Sequence, residues 1–317
     1  MEHSLDLTYH WAGFSALVVF VIAYAFVMAE EFTHLRKSKP VVLAAGLIWG
    51  MIAIAYSNTP HYEMVEHEIR HSFLEYTELA FFLLVAMTYI NALEERNVFN
   101  SLKSWLIKNQ FSYRQLFWIT GVLAFFLSPL ADNLTTALVL CAVVVAVGSS
   151  SPKFVGLACV NIVVAANAGG AFSPFGDITT LMVWQAGQLD FLQFFALVIP
   201  SVVNYIIPAS IMHFFVSDHK PDVAETSVTI KYGGKTIILL GLLTIVTAVS
   251  FHNFLHLPPV FGMMTGLAYL QLYSFYIKIS VREIEEQKYD FFENVARVEW
   301  DTLLFFFGVI LAVGGLG

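Results

Sequence analysis

Two short stretches of the 317-residue sequence place an aspartate between a proline and a pair of threonines. Residues 128–136 read SPLADNLTT, and residues 173–180, which begin 45 positions later, read SPFGDITT. Proline interrupts a helix, and an aspartate followed by hydroxyl residues is typical of the first turn of the next helix. Both stretches therefore predict a helix break that carries a carboxylate.

The residue types around these two breaks suit a hard cation. Carboxylate, amide, hydroxyl and backbone carbonyl oxygens replace the water shell of such an ion, and the glycines and proline of residues 167–176 free carbonyls from helical bonding. A carboxylate binds either a cation or a proton, so the two can compete for one site. We predict a Na⁺ site at Asp132 and Asp177. The other candidate cation or proton ligands are Ser128, Asn133, Thr135, Asn167, Thr179 and Thr180.

A purely structural role for the two aspartates is the alternative. Aspartate is a common N-cap, because its side chain accepts from the first free amides and suits the positive end of the helix dipole. At a protein surface that role would explain both residues. Inside a bilayer, however, a carboxylate costs about 3 kcal/mol and usually marks an ion or proton path. The location of the breaks therefore decides between the two interpretations.

The composition places these breaks in a membrane. Hydrophobic residues make up 58% of the chain and charged residues 13%, against about 45–50% and about 25% in soluble domains. Several charge-free runs are long enough to cross about 30 Å of hydrocarbon at about 1.5 Å per residue. The clearest are residues 11–29, 40–56, 191–216 and 260–277. The sequence thus predicts an all-α polytopic membrane protein.

Two further segments are predicted to be discontinuous. Segment 116–148 contains arms of 12 and 15 residues, about 18 and 22 Å long, which are too short to span comfortably. We predict a re-entrant hairpin there, with residues 128–133 as a non-helical tip. Residues 154–186 are predicted to form a broken helix. Uninterrupted helices are predicted at 73–93, at 236–251 and from 299 onward.

The distribution of Lys and Arg predicts the orientation. If the hairpin returns to the face from which it enters, 15 of the 16 basic residues lie on one side of the membrane and only Arg70 lies on the other. The side that is rich in Lys and Arg is the cytoplasmic one. We therefore expect a multi-pass protein in a lipid bilayer, with its N-terminus outside and with no nucleic-acid partner.

Similar segments predict an inverted repeat. Residues 40–49 resemble 259–269, and residues 75–82 resemble 299–306 at an offset of 224. An odd number of crossings separates equivalent helices, so the second copy is expected upside down, as in secondary transporters with discontinuous helices. Its hairpin is expected near position 356, so the second repeat is predicted to be truncated here. The predicted boundaries are 1–216 for the first repeat, 217–235 for a cytoplasmic linker and 236–317 for the start of the second repeat.

Two titratable residues outside the breaks are candidates for proton relay or pH sensing. Glu78 lies about one turn beyond Glu75 in the third predicted helix, so it is either a buried relay or an interfacial residue. His71 lies close to both carboxylates, and it either senses pH or belongs to a solvated outer loop. The other members of that predicted loop are His61, Glu63, Glu66, His67 and Glu68.

The motifs SPLADNLTTAL (128–138) and NAGGAFSPFGDITTLMVW (167–184) resemble those of NhaD-type sodium/proton antiporters, members of the ion transporter superfamily. The resemblance covers essentially the whole chain, including residues 30–40. It implies an elevator-type carrier, often a homodimer, that exchanges Na⁺ or Li⁺ for H⁺ in the inner membrane of an alkali-tolerant bacterium. It implies no cofactor and no enzymatic reaction. The family's second hairpin, with further ligands, lies outside these 317 residues.

Other functions fit less well. A sodium-coupled dicarboxylate symporter shares the architecture, but its hairpin tips typically read Ser-Asn-Thr, and Asp132 would repel the substrate. Arsenite efflux by the same fold stays open as an alternative. An intramembrane aspartyl protease needs a Gly-x-Gly-Asp motif, whereas Pro174 occupies the first glycine position before Asp177. A structural scaffold would need no aspartates at helix breaks.

Overall fold

The structure is a computed structural model that describes residues 10–57, 59–60, 62–109, 111–148, 151–220, 228–280 and 289–316. The secondary structure of these residues is helical, without strands. Eight helical segments within them are long and apolar enough to cross a membrane. The prediction of an all-α polytopic membrane protein is therefore confirmed.

The helices are numbered here in chain order, with a 3₁₀ helix at Phe191–Leu197 before α10. Their bounds are α1 Trp11–Met28, α2 Glu30–Thr33, α3 Ser38–Tyr56, α4 Tyr62–Glu95, α5 Val98–Lys108, α6 Tyr113–Ala131, α7 Asn133–Val147, α8 Pro152–Gly170, α9 Ile178–Gln185, α10 Val198–His213, α11 Gly234–Leu255, α12 Pro259–Ser280, α13 Phe291–Ala296 and α14 Trp300–Gly314.

The chain divides into two compact units, the first of which comprises Met1–Leu84 and Val298–Gly317. In it, α3 packs against both α1 and α14. Gly308 lies against the backbone of α3, where a Cβ would clash. The indole of Trp49 donates to the Leu311 carbonyl at 2.8 Å, and the Ser38 hydroxyl donates to Asp301 at 2.5 Å. These contacts join the start of the chain to its last described helix.

The second unit, Val85–Arg297, contains both helix breaks. Helices α6, α7 and α8 pack around a buried apolar core, and α10 packs against α8. Helices α11 and α12 form a separate close pair in which Gly262 lies against the α11 backbone at Ala248. The helices that border the breaks, α6, α7 and α8, thus pack together, with α10 against α8.

The predicted outer loop around His67 and His71 is wrong, because α4 begins at Tyr62 rather than near residue 73. Hydropathy locates the part of a helix that lies in hydrocarbon, and α4 continues beyond that part as a polar helix. An exposed ion pair between Arg70 and Glu66, at 2.6 Å and four residues apart, supports the polar extension. His61 lies outside the described residues.

The predicted tip of the hairpin is also corrected. Residues 128–131 are helical, so α6 has 19 residues, about 28 Å, and only Asp132 separates it from α7. A capping box formed by Ser112 and Gln115 starts α6 earlier than predicted. Pro129 stays within the last turn, where its missing N–H leaves the Phe125 carbonyl without its helical donor. The first arm is thus longer than its apolar run implied.

The break in the second segment lies where it was predicted, between α8 and α9. Three short helices, α2, α5 and α13, were not predicted. All three lie in stretches that the hydropathy analysis assigned to loops, because none is long enough to span a membrane. The predicted repeat boundaries stay a prediction.

A buried charged cluster holds the end of α4 to two other parts of the second unit. Arg96 is fully buried; its guanidinium lies 2.9 Å from Glu95 and 4.8 Å from the centre of the Tyr289 ring. Glu95 also accepts from the amide of Asn294, which lies in α13, at 2.6 Å. The Arg96 carbonyl accepts from the N–H of Lys231, before α11. Burial raises the pKa of the Tyr289 phenol, so the ring stays neutral against the cation.

Replacing Arg96 by Met is expected to destabilise the protein by about 3 kcal/mol, because Glu95 would lose the buried cation beside it. The matched control is Arg70→Met, which removes the same side chain from an exposed pair and is expected to change stability by less than about 1 kcal/mol. Thermal unfolding of the detergent-solubilised variants measures both. Equal effects of the two substitutions would contradict the structural role of the cluster.

Candidate functional site

The two helix breaks lie against each other and are joined by reciprocal hydrogen bonds. The backbone N–H of Asn133, after the first break, donates to the carbonyl of Gly176 in the second at 3.1 Å. The hydroxyl of Ser173, in the second break, donates to the carbonyl of Pro129 in the first at 3.0 Å. Each break thus satisfies polar backbone groups of the other, so the two motifs form one site.

Asp132 is the only non-helical residue of the first break. Its φ of 55° and ψ of 162° turn the chain sharply between α6 and α7. Its carboxylate accepts from the N–H of Thr135 at 2.8 Å and from the Thr135 hydroxyl at 2.9 Å. Asp132 is therefore the N-cap of α7, and it is half-buried.

Asp177 caps α9 in a similar way. Its Oδ1 accepts from the N–H of Thr179 at 2.8 Å and from the Thr179 hydroxyl at 2.6 Å. The cap role proposed as an alternative is therefore real at both aspartates. It does not remove the case for ion binding, because a first-turn amide and the helix dipole stabilise the ionised carboxylate that a cation requires.

Asn133 connects the two motifs through its side chain. Its Oδ1 accepts from the hydroxyl of Ser128 at 2.5 Å, and its Nδ2 donates to Oδ2 of Asp177 at 2.5 Å. Ser128 is fully buried, whereas Asn133 and Asp177 are half-buried. Three of the predicted ligands, drawn from α6, α7 and the second break, therefore form one continuous hydrogen-bonded chain.

Close approach of the backbones depends on glycines. A Cβ on Gly170 would collide with the side chain of Asn133 and with the carbonyl of Gly176. A Cβ on Gly169 would collide with the Phe125 carbonyl, the same group that Pro129 leaves without a helical donor. The end of α8 thus fits against α6 at Gly169, and against Asn133 of α7 at Gly170, because these positions lack side chains.

The remaining predicted ligands fall into two groups. Thr180 stabilises the second break through its hydroxyl, which lies within hydrogen-bond distance of the Ser173 carbonyl, at 2.9 Å, and of the Asp177 carbonyl, at 2.8 Å. Asn167 is exposed, and its amide donates to the Val163 carbonyl of its own helix at 2.8 Å. The structure therefore brings Thr180 to the breaks but does not bring Asn167 into the Asn133 network.

Ser173 and Gly170 contribute to the site although they were not among the predicted ligands. The repetition of the Ser-Pro step in the two motifs was a signal for Ser173, since Ser128 was itself predicted. The role of Gly170 depends on a contact between α8 and α7, which no local pattern reveals.

The candidate proton groups Glu78 and His71 lie in the first unit, whereas both breaks lie in the second. Glu78 is half-buried in α4. His71 is exposed, and its Nδ1 lies 3.6 Å from the Glu75 carboxylate. The proton-relay and pH-sensing roles stay predictions.

Comparison with known proteins identifies transporters. The family model described as "Citrate transporter" (CitMHS) matches residues 11–317. The Na(+)/H(+) antiporter NhaD of Vibrio cholerae is 52% identical over 99% of this chain and 70% of its own length. The protein of that name from Halomonas elongata is 51% identical over 99% of this chain and 68% of its own length. Sodium/proton antiporter 1 of Arabidopsis thaliana is 31% identical over 94% of the chain and 51% of its own length. These relatives are named as transporters, not as enzymes.

Gly170→Ala is expected to destabilise the protein by about 1–3 kcal/mol, because its methyl group forces α8 away from Asn133. Gly156→Ala is the matched control, since it lies in the same helix with nothing within 4 Å of an added Cβ. There the substitution is expected to be neutral or stabilising by up to about 1 kcal/mol. Thermal unfolding in detergent measures the change in stability of both variants. A Gly170→Ala variant as stable as the parent would contradict the tight contact between the breaks.

Proposed function

The chain belongs to the NhaD family of sodium/proton antiporters, within the broader citrate transporter family, and from this membership we propose that it exchanges Na⁺ or Li⁺ for H⁺ across the bacterial cytoplasmic membrane. The observation that carries the proposal is the Ser128–Asn133–Asp177 chain at the contact of two helix breaks. It supplies hydroxyl, amide and carboxylate oxygens, which are ligands of hard cations. Exchange of this kind would serve pH and sodium homeostasis.

In the proposed mechanism, cation and proton compete for the two aspartates. In the structure, Asp177 accepts from Asn133 Nδ2 and from Thr179, so neutral donors occupy its carboxylate oxygens. A cation displaces the Asn133 amide donor, and rotation of that amide turns Oδ1 toward the ion. A proton on Asp177 removes the charge that the cation needs. Because the cation and the proton bind the same carboxylate in turn, transport of one in one direction is coupled to transport of the other in the opposite direction.

Asp132 takes part in the same competition from the other break. Its carboxylate is held by the amide and hydroxyl of Thr135, and a carboxylate oxygen is a suitable ligand for a hard cation. Sodium ligation by Ser128, Thr135, Thr179, Thr180 and Asn167 is part of the proposal. Asn167 requires a rotamer change, since its amide now binds within α8.

We further propose that α6–α7 is a re-entrant hairpin, that α8–α9 is a broken helix near the bilayer midplane, and that residues from 236 onward begin an inverted second repeat. Two observations support this arrangement. The α1–α3 and α11–α12 pairs, which the repeat makes equivalent, are each closely packed. Short helices that end inside a membrane are tolerated where their polar backbone is satisfied by protein, as the reciprocal bonds between the breaks provide.

Citrate or dicarboxylate transport is the competing function, because the matching family model bears the citrate transporter name. The identity of about half over nearly the whole chain to antiporters is the more specific comparison. The site agrees with it, since carboxylates at both breaks repel a carboxylate substrate and attract a cation. Arsenite efflux lacks a comparable supporting observation.

Transport by the full-length protein is expected in everted vesicles, where addition of Na⁺ or Li⁺ dissipates a preset proton gradient. Asp132→Asn and Asp177→Asn are each expected to lower exchange at least about 100-fold, because the amide keeps the cap but loses both charge and exchangeable proton. Thr135→Ala and Thr179→Ala remove a neutral oxygen and are expected to raise the half-saturating Na⁺ concentration about tenfold or less. Fluorescence of a ΔpH probe measures all four variants.

Gln188→Ala, an exposed substitution in the same unit, is the control for expression and insertion. Normal exchange by both aspartate variants would show that the two aspartates act only as helix caps. Uptake of labelled citrate without any response to Na⁺ or Li⁺ would instead support the competing function.

The proposed orientation, with the N-terminus outside, is tested by cysteine labelling. In a protein with Cys141 and Cys159 replaced by Ser, a single cysteine at His34 is expected to be labelled only after the membrane is permeabilised. A cysteine at His67 is expected to be labelled from outside, because Arg70 is the one basic residue on that side. Both histidines are exposed. The reverse pattern would invert the topology.

A homodimer is proposed from the family resemblance, and chemical crosslinking in the membrane tests it.

A further inference from the structure

The polar first turns of α4 carry a row of side chains of the types that bind metal ions. The segment is helical from Tyr62, so residues four apart are separated by only about 40° around its axis and are neighbours on one side of the helix. Four residues follow one another at this spacing, and all of them are exposed: Glu63, His67, His71 and Glu75. The row therefore lies on the surface of the first unit.

Residues 67–71 read HEIRH, with two histidines four apart and a glutamate directly after the first. On a helix, the pattern H-E-x-x-H places two imidazoles on one face, where both bind the same zinc ion. Side chains at this spacing have Cβ atoms about 6 Å apart, and a Zn–N bond is about 2 Å long, so one ion is within reach of both rings. Because a loop would not fix this spacing, the helical state of α4 makes the two histidines a candidate metal site.

A carboxylate lies beside one ring nitrogen of each histidine. Nδ1 of His67 lies 3.5 Å from the Glu68 carboxylate, and Nδ1 of His71 lies 3.6 Å from the Glu75 carboxylate. A histidine that binds a metal through one nitrogen usually directs its other N–H to a carboxylate, which orients the ring and makes the first nitrogen a stronger ligand. In both histidines Nε2 is thus the nitrogen that is left for a metal.

The local charge favours a cation. Residues 62–75 contain four glutamates and one arginine, and Arg70 is paired with Glu66. The other carboxylates raise the concentration of cations near the two imidazoles. Among the described residues no group of three His, Cys, Asp or Glu side chains is arranged to hold a metal ion. An ion held by two imidazoles therefore completes its coordination with water, and the three protein ligands of a catalytic zinc site are not assembled in this part of the chain.

We propose that His67 and His71 form a binding site for a divalent transition-metal cation, with Zn²⁺ as the representative ion. Imidazole nitrogen suits Zn²⁺, Cu²⁺ and Ni²⁺, whereas Mg²⁺ and Ca²⁺ prefer oxygen ligands. The site differs in this respect from the oxygen groups of the helix breaks. It lies in the first unit and does not depend on the proposed ion exchange. With the N-terminus outside, the ion reaches it from the outer side of the membrane.

The experiment uses the full-length protein without a polyhistidine tag, titrated with Zn²⁺ in competition with a colorimetric zinc chelator. The test variants are His67→Gln and His71→Gln, and Glu75→Gln tests the carboxylate beside His71. The control is His34→Asn with His219→Gln, which removes two exposed histidines from other parts of the chain. Asparagine is used at His34 because the φ of that residue is 55°. Electron paramagnetic resonance with Cu²⁺ counts the imidazole nitrogens that bind one ion.

The parent and the control are expected to bind Zn²⁺ with equal affinity, even in a large excess of Mg²⁺. Loss of either imidazole is expected to weaken binding by more than about 100-fold, the upper end of the usual cost of losing an outer-shell partner. Glu75→Gln removes such a partner and is expected to weaken binding about tenfold. The Cu²⁺ spectrum is expected to show two imidazole nitrogens in the parent and one in each histidine variant.

Binding by His67→Gln or His71→Gln with the affinity of the parent would overturn the proposal, and so would displacement of Zn²⁺ by Mg²⁺. If a histidine variant unfolds at a lower temperature than the parent, Glu63→His with His71→Gln replaces it. This variant moves the histidine pair one turn earlier, to positions 63 and 67. It is expected to bind Zn²⁺ within about tenfold of the parent, since only one outer-shell carboxylate is lost. Failure of this variant to bind would equally overturn the proposal.

Discussion

Hydrogen bonding of the polar backbone groups at the two helix breaks is the constraint on which the second unit depends. A helix that stops inside hydrocarbon leaves N–H and C=O groups without partners, and each costs several kcal/mol unless protein satisfies it. Here the first break supplies the Pro129 carbonyl to Ser173, and the second supplies the Gly176 carbonyl to Asn133. Two interruptions that would be unfavourable separately therefore stabilise each other. The glycines, the cap aspartates and the packing of α6 on α8 all serve this contact.

The same contact explains why the residues with structural roles at the breaks are also the residues predicted as ion ligands. A carboxylate that caps a helix is held by amide and hydroxyl donors, so its orientation is fixed by the helix that it caps. Asn133 offers both an acceptor and a donor, and both are used between Ser128 and Asp177. The unequal lengths of the two breaks follow from their sequences. One residue, Asp132, makes the first, whereas the second needs the loop between Gly170 and Asp177.

Much of the fold was predictable because membrane helices are recognised by length and hydropathy, and the two breaks were predictable because proline, glycine and aspartate have strong local effects. The extent of α4 was not, since its polar first turns give no hydropathy signal. The helical state of residues 128–131 was not, because proline usually ends a helix, and the close contact of Gly169 with the Phe125 carbonyl beside Pro129 is a tertiary one. The position of Asn167 on an exposed face depends on the rotation of α8 about its axis, which packing alone decides.

The reciprocal bonds between the breaks also impose an order on biosynthesis. The first break leaves the ribosome about 45 residues before the second, which is several seconds at about 5–20 residues per second. During that interval Ser128, Asn133 and the Pro129 carbonyl have no partner from the second break. Water or another protein must therefore satisfy these groups until α8 and α9 emerge. A pause in elongation after the first break has emerged and before the second has emerged would extend this interval, and the first break reaches its final hydrogen bonding only when the second is present.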